Sequence, residues 1–183
     1  MFEPPPPLPA TDASGFLPGP LGLRLDEEFL SLNAINGSRS ALDAIFPVGN
    51  ARINLDGWSL RVRPSAAWTS GDTPAGEFSS VEIGHGLTHL RLRGVEALHF
   101  LGQYTCVDLF AAPSRQVKTA RTRLNQYDCT IWWTNTRDVH LLIARSLAQS
   151  FCDHLRILAV RNEPGDSFKH PRPTAPEAPN RRG

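Results

Sequence analysis

The chain has 183 residues, 40% hydrophobic and 20% charged, with 19 Lys and Arg against 18 Asp and Glu. That length holds one ordinary domain, and the balanced charge gives no reason to expect a polyanionic partner, so nucleic-acid binding is not expected. No segment has the apolar length of a membrane span. The N-terminal MFEPPPPLPA lacks the basic-then-apolar order of a secretory signal. Cys106, Cys129 and Cys152 are far apart, odd in number and set in apolar stretches, which reads as buried, reduced thiols in a cytoplasmic protein.

Both ends read as arms. Residues 1–20 carry Pro4 to Pro7, Pro9, Pro18 and Pro20, and residues 163–183 carry Pro164, Pro171, Pro173, Pro176 and Pro179. Proline fixes φ and lacks an amide donor, so neither stretch is expected to build helix or ladder. Each is either a tail or an arm that orders along a larger partner. The domain proper is then 21–162.

Within it, Leu25, Phe29 and Leu32 fall at helical spacing and predict a short helix over Leu23 to Leu32. Ser59 to Arg63 alternates polar and apolar, as a strand does, and Pro64 ends it. SGDTPAGEFSS, residues 70–80, reads as a loop. Leu90 to Arg93 alternates again up to Gly94, and Val95, Leu98 and Leu101 predict a helix over 95–103. A short link at Cys106 to Leu109 runs toward Pro113. Ala120 to Leu124 predicts a strand, with Asn125-Gln126 as a tight turn. Tyr127, Cys129, Ile131 and Trp133 share one face of the next strand. Asn135 to Asp138 turns into a last strand, Val139 to Ile143. Ser146 is a good N-cap for a helix whose Leu147, Phe151, Leu155 and Leu158 form the apolar stripe. The order strand, helix, three strands, helix predicts an α+β fold: an antiparallel sheet with its helices on one face.

The motifs of catalysis are absent from the sequence. There is no GxGxxG, GxxxxGK[ST], GxSxG, HExxH or SxxK. His85, His89 and His99 lack a closing ligand set, Glu96 being the nearest carboxylate, so His85 is expected in a Gly-flanked turn and His89 on a solvated strand face. Cys152-Asp153-His154 cannot act as a relay, because neighbours on a helix point apart. Asp108 is expected to cap a turn. Arg121 and Arg123 share a strand face that solvent or an acidic surface would meet. No catalytic residue, metal ligand or cofactor-binding residue is assigned to this chain.

Four stretches carry a resemblance. They are Leu90-Arg91-Leu92-Arg93-Gly94-Val95-Glu96-Ala97, Val107-Asp108-Leu109, Thr122-Arg123-Leu124-Asn125-Gln126-Tyr127-Asp128 and Leu141-Leu142-Ile143-Ala144-Arg145-Ser146-Leu147-Ala148. From about Ser80 to Leu158 the chain resembles the gamma subunit of heterotetrameric sarcosine oxidase, through scaffold motifs rather than catalytic ones. It departs from that pattern at Cys152 and His154, where aromatic residues are expected, and at Pro113, Ser114 and Arg115. The resemblance implies a fold like the folate-binding domain of the glycine-cleavage aminomethyltransferase. It also implies a cytoplasmic complex with alpha, beta and delta partners. In such a complex the other subunits hold FAD, FMN, NAD and tetrahydrofolate, and an N-methyl amine is oxidatively demethylated with tetrahydrofolate as one-carbon acceptor. A free-standing tetrahydrofolate-binding protein of the same superfamily is the alternative. Its iron–sulfur-repair branch carries K-G-C-[FY]-x-G-Q-E, where this chain has only Gly102-Gln103-Tyr104-Thr105-Cys106. A small enzyme with an unfamiliar site is the third reading.

Overall fold

A computed structural model describes residues 15–46, 51–54, 57–71, 76–110 and 118–162. The fold is mixed α and β, dominated by two antiparallel sheets. In chain order the strands are β1 (Gly15–Phe16), β2 (Arg24–Glu28), β3 (Asn33–Asn36), β4 (Ala51–Asn54), β5 (Gly57–Arg63), β6 (Ala66–Thr69), β7 (Ser79–Glu82), β8 (Leu87–Arg93), β9 (Lys118–Leu124), β10 (Tyr127–Asn135) and β11 (Asp138–Ala144). The helices are α1 (Arg39–Ile45), α2 (Ala97–Gly102) and α3 (Ala148–Arg161).

Sheet A has the order β1-β2-β8-β11-β10-β9, and sheet B the order β4-β5-β6-β3-β7. Sheet B is made entirely of chain lying between β2 and β8. The two ends of that excursion meet where the Ile83 amide donates to the Leu32 carbonyl at 2.8 Å.

Period-two patterning fixes which residues face where. Leu90 and Leu92 on β8, Val139, Leu141 and Ile143 on β11, and Tyr127, Cys129, Ile131 and Trp133 on β10 are all buried against the helix layer. Leu98 and Leu101 of α2 and Phe151, Leu155 and Leu158 of α3 complete this main core. The opposite face of sheet A meets sheet B in a smaller core of Leu32, Leu60, Trp132 and Leu142. A third cluster of Ile35, Leu42, Phe46 and Ala67 joins α1 to the far side of sheet B.

Helices do pack on one face of sheet A, as expected. The other face is covered by a second sheet, of which the sequence reading found only β5. The helix expected at 23–32 is instead β2 with the link to β3. Leu25 and Leu32 lie in different cores and Phe29 is 86% exposed, so their spacing reflects no common face. The expected loop at 70–80 gives way to β7 at Ser79, its residues 72–75 lying outside the described residues. Ser146 lies in a 3-10 turn, and α3 begins at Ala148 with no side-chain cap. The sheet also starts inside the proline-rich N-terminal stretch: Gly15 and Phe16 pair with Leu25 and Arg24, and Leu17 is buried. The rest of both arms, 1–14 and 163–183, and Pro113, Ser114 and Arg115 lie outside the described residues.

Two local devices position the helix layer. Gly94, at φ 146°, follows β8; its amide donates to the Arg137 carbonyl and its carbonyl accepts from Ala97, while Leu98 donates to Thr136. These bonds tie α2 to the β10–β11 turn. Asn125, at φ 51°, makes the β9–β10 turn, a left-handed conformation that Asn tolerates better than most residues.

Candidate functional site

The inter-sheet face of sheet A is where polar chemistry collects. Alternation puts Arg24, Asp26 and Glu28 of β2, His89, Arg91 and Arg93 of β8, and Asp138 and His140 of β11 on this face, side by side. Side chains here reach diagonally rather than straight across. Arg91 stands opposite Asp26 and His140 in register, yet its guanidinium binds both oxygens of Asp138 at 2.7 Å and touches Glu28 at 3.5 Å. Arg93 binds Asp26, which also accepts from Arg24 at 3.0 Å. The diagonal spacing suits long side chains.

Next along the strands come two imidazoles. His89 Nε2 and His140 Nδ1 are 3.0 Å apart, and both rings are largely buried. Trp132 stacks on His140 with centroids 4.8 Å apart and planes 9° apart. Trp58, from sheet B, lies 4.3 Å from Trp132 and edge-on to His89 at 5.8 Å. The result is a four-ring cluster at the seam between the sheets, with an ionic ladder running outward from it. Trp132 Nε1 is buried with no hydrogen-bond partner among the described residues.

Burial, then the nearby His140 and Arg91, pushes His89 down to about 3. Burial also lowers His140, against the pull of Asp138. Both rings are therefore neutral near pH 7. The Asp138 carboxylate lies 3.8 Å from His140 Nε2 and favours a proton there. His140 Nδ1 is then the acceptor and His89 Nε2–H the donor, an order that leaves every dipole aligned toward Asp138. The hydrogen bonds of Arg91 hold Asp138 below its usual range, and Asp138 in turn raises Arg91. Burial opposes ionisation of Asp26, but the bonds from Arg93 and Arg24 outweigh it and lower its pKa. Fully paired charges and neutral imidazoles make a structural network rather than a nucleophile or an open Lewis-acid site.

The residues singled out from sequence are dispersed. His85 is exposed in a Gly84–Gly86 turn, as expected, and pairs with Glu82 at 2.9 Å. His89 is not on a solvated face: sheet B, of which only β5 was expected from sequence, covers it. Its partner His140, 51 residues away, went unnoticed because only strand register brings the two together. His99 sits beside Phe110 on the helix side. Asp108 accepts from the Phe110 amide at 2.9 Å, the turn-capping role expected of it. Arg121 lies over Trp68, and Arg123 pairs with Asp128. Cys129 and Cys152 are buried, and burial pushes their thiols up to about 12 and about 11. Cys106, expected to be buried, is exposed beyond α2. Among the described residues no three His, Cys, Asp or Glu side chains converge as a metal site, and no helix is long and apolar enough to cross a membrane.

No family model and no curated protein matches the chain. A solved structure does: a chain of the heterotetrameric sarcosine oxidase from Corynebacterium sp. U-96, determined in complex with pyrrole 2-carboxylate. The match has a TM-score of 0.64 at 16% identity and covers 80% of this chain and 88% of that one. At that identity the two share a fold.

Proposed function

We propose that this chain is a non-catalytic small subunit, equivalent to gamma, of a heterotetrameric sarcosine-oxidase-like flavoenzyme. The observation that carries the reading is the fold match to a chain of such an enzyme. It spans most of both chains, as expected of two small subunits of similar length rather than of a shared fragment. The site chemistry supports it: the charged side chains of β2, β8 and β11 on the inter-sheet face pair with one another, and the two imidazoles share a hydrogen bond, which suits a scaffold. In this reading alpha, beta and delta partners hold FAD, FMN, NAD and tetrahydrofolate, and demethylate an N-methyl amino acid or amine. This chain contributes packing surface.

Co-expression with the larger subunits from the same host, followed by size-exclusion chromatography, tests the assignment. The expected result is co-elution with a flavin-coloured complex at fixed stoichiometry. A chain that stays monomeric beside its candidate partners overturns it. Tight binding of tetrahydrofolate by the isolated chain, read by calorimetry, would favour the free-standing folate-binding alternative instead.

A further inference from the structure

Among the described residues of β2, β8 and β11, the charges at the seam between the sheets are paired with one another. Around the imidazole pair, β2 brings Arg24, Asp26 and Glu28, β8 brings Arg91 and Arg93, and β11 brings Asp138. These six groups pair among themselves, three cations with three anions. From the other elements packed here, β10 brings Thr130 and Trp132, and β9 brings Arg121, with Arg123 held by exposed Asp128. Sheet B contributes Trp58, Leu60 and Trp68, none of which titrates, and the Glu82–His85 pair sits in the turn before β8. Among the described residues the carboxylates that act on the rings are Asp138, 3.8 Å from His140 Nε2, and Glu28, and both are already bound to Arg91. A proton added to either ring would thus be a buried positive charge beside Arg91 whose nearest counter-ions are shared with that guanidinium. Two such protons would also abolish the hydrogen bond, which needs one bare nitrogen.

We propose that the His89–His140 pair is an acid-sensitive latch, whose protonation loosens sheet B from sheet A while the sheet A–helix layer stays folded. The seam is the weaker of the two contacts of sheet A. Its buried core is four side chains, against the extended core on the helix side. Trp58 reaches from sheet B directly onto His89, so a charged ring must regain water by displacing it. The sign follows from linkage. A histidine held neutral in the closed state takes up its proton only on opening, so closure is fully favoured above the ordinary imidazole pKa of about 6.5 and weakens as pH falls below it. Each proton taken up then shifts the opening equilibrium about tenfold per pH unit. The latch is a property of this chain alone and stands apart from the subunit reading.

Amide hydrogen exchange on the full chain at pH 7.5 and 5.5, corrected for the intrinsic rate, reads the opening directly. Protection across 57–69 is expected to fall about tenfold for one proton and up to a hundredfold for two. Protection across 139–143 and 151–159 should hold. The double variant His89→Gln with His140→Gln keeps a neutral amide pair and should lose the pH response. Imidazole nitrogen NMR on the unsubstituted chain gives a second reading that does not depend on the variant folding. Both rings should stay neutral in the closed form across this pH range. Parallel loss of protection in both sheets, an unchanged response in the double variant, or ordinary titration of His89 near pH 6.5 with no change in exchange would each overturn the latch.

Discussion

Trp133 and Trp132 are neighbours in sequence with opposite duties: one faces the helices, the other the second sheet. Trp133 is buried among the main-core residues, and Trp133→Ala should cost about 3–5 kcal/mol, read from the urea midpoint at unchanged slope. Gly94 is a different kind of dependence. A Cβ there would meet Leu23 Cδ2 at 2.8 Å and the Gly22 carbonyl at 3.2 Å, at a φ that L-residues rarely adopt. Gly94→Ala should therefore destabilise by about 1–3 kcal/mol, and differential scanning calorimetry would show a lowered Tm. Individual residues of the polar seam were the least legible from sequence. His89 alone looks like any histidine on an alternating strand, and what makes it unusual is a partner and a cover that come from elsewhere in the chain.

Among the elements, β10 was legible because Tyr127, Cys129, Ile131 and Trp133 fall at period two on its helix side, although Thr130 and Trp132 are buried on the other face. Sheet B was not, because β3, β4, β6 and β7 have four residues each, too few for a period to declare itself. Its integrity rests instead on Arg61. That side chain is buried and donates to the carbonyls of Phe46, Arg63 and Pro64 and to Asp43, pinning the end of α1 to β5. The alternation of Ser59 to Arg63 predicted the strand correctly while saying nothing of an Arg turned inward. Arg61→Met keeps much of the volume but strands those acceptors. It should cost about 2–4 kcal/mol and selectively raise amide exchange in α1, with α3 unaffected. Equal losses in both helices would show that α1 is not held this way.

At the scale of the whole molecule, the subunit reading makes the ends of the chain the next place to cut. Removing residues 1–14 or 163–183 leaves β1, Leu17 and α3 intact. The unfolding midpoint of the isolated chain is therefore expected to stay within about 0.5 kcal/mol of the full chain, while the fraction recovered in a larger complex falls. Extending the N-terminal deletion to residue 20 is a different experiment, since it removes an edge strand and a core leucine. The isolated chain is expected to purify without bound flavin; a yellow monomer retaining FAD or FMN through gel filtration would contradict the scaffold role.

The hydrogen bond from Ile83 to Leu32 has a bearing on the order in which the molecule assembles. β2 must find β8 across some sixty residues, and a chain closing a loop that long gives up more entropy than one closing a short turn. Sheet B emerges from synthesis before β8 exists and pairs only with itself. Once it has formed, Leu32 and Ile83 are already neighbours, and β8 is delivered to β2 as though by a hairpin. The inserted sheet is thus a clasp as well as a cover: closing sheet A draws on strands that form no part of it.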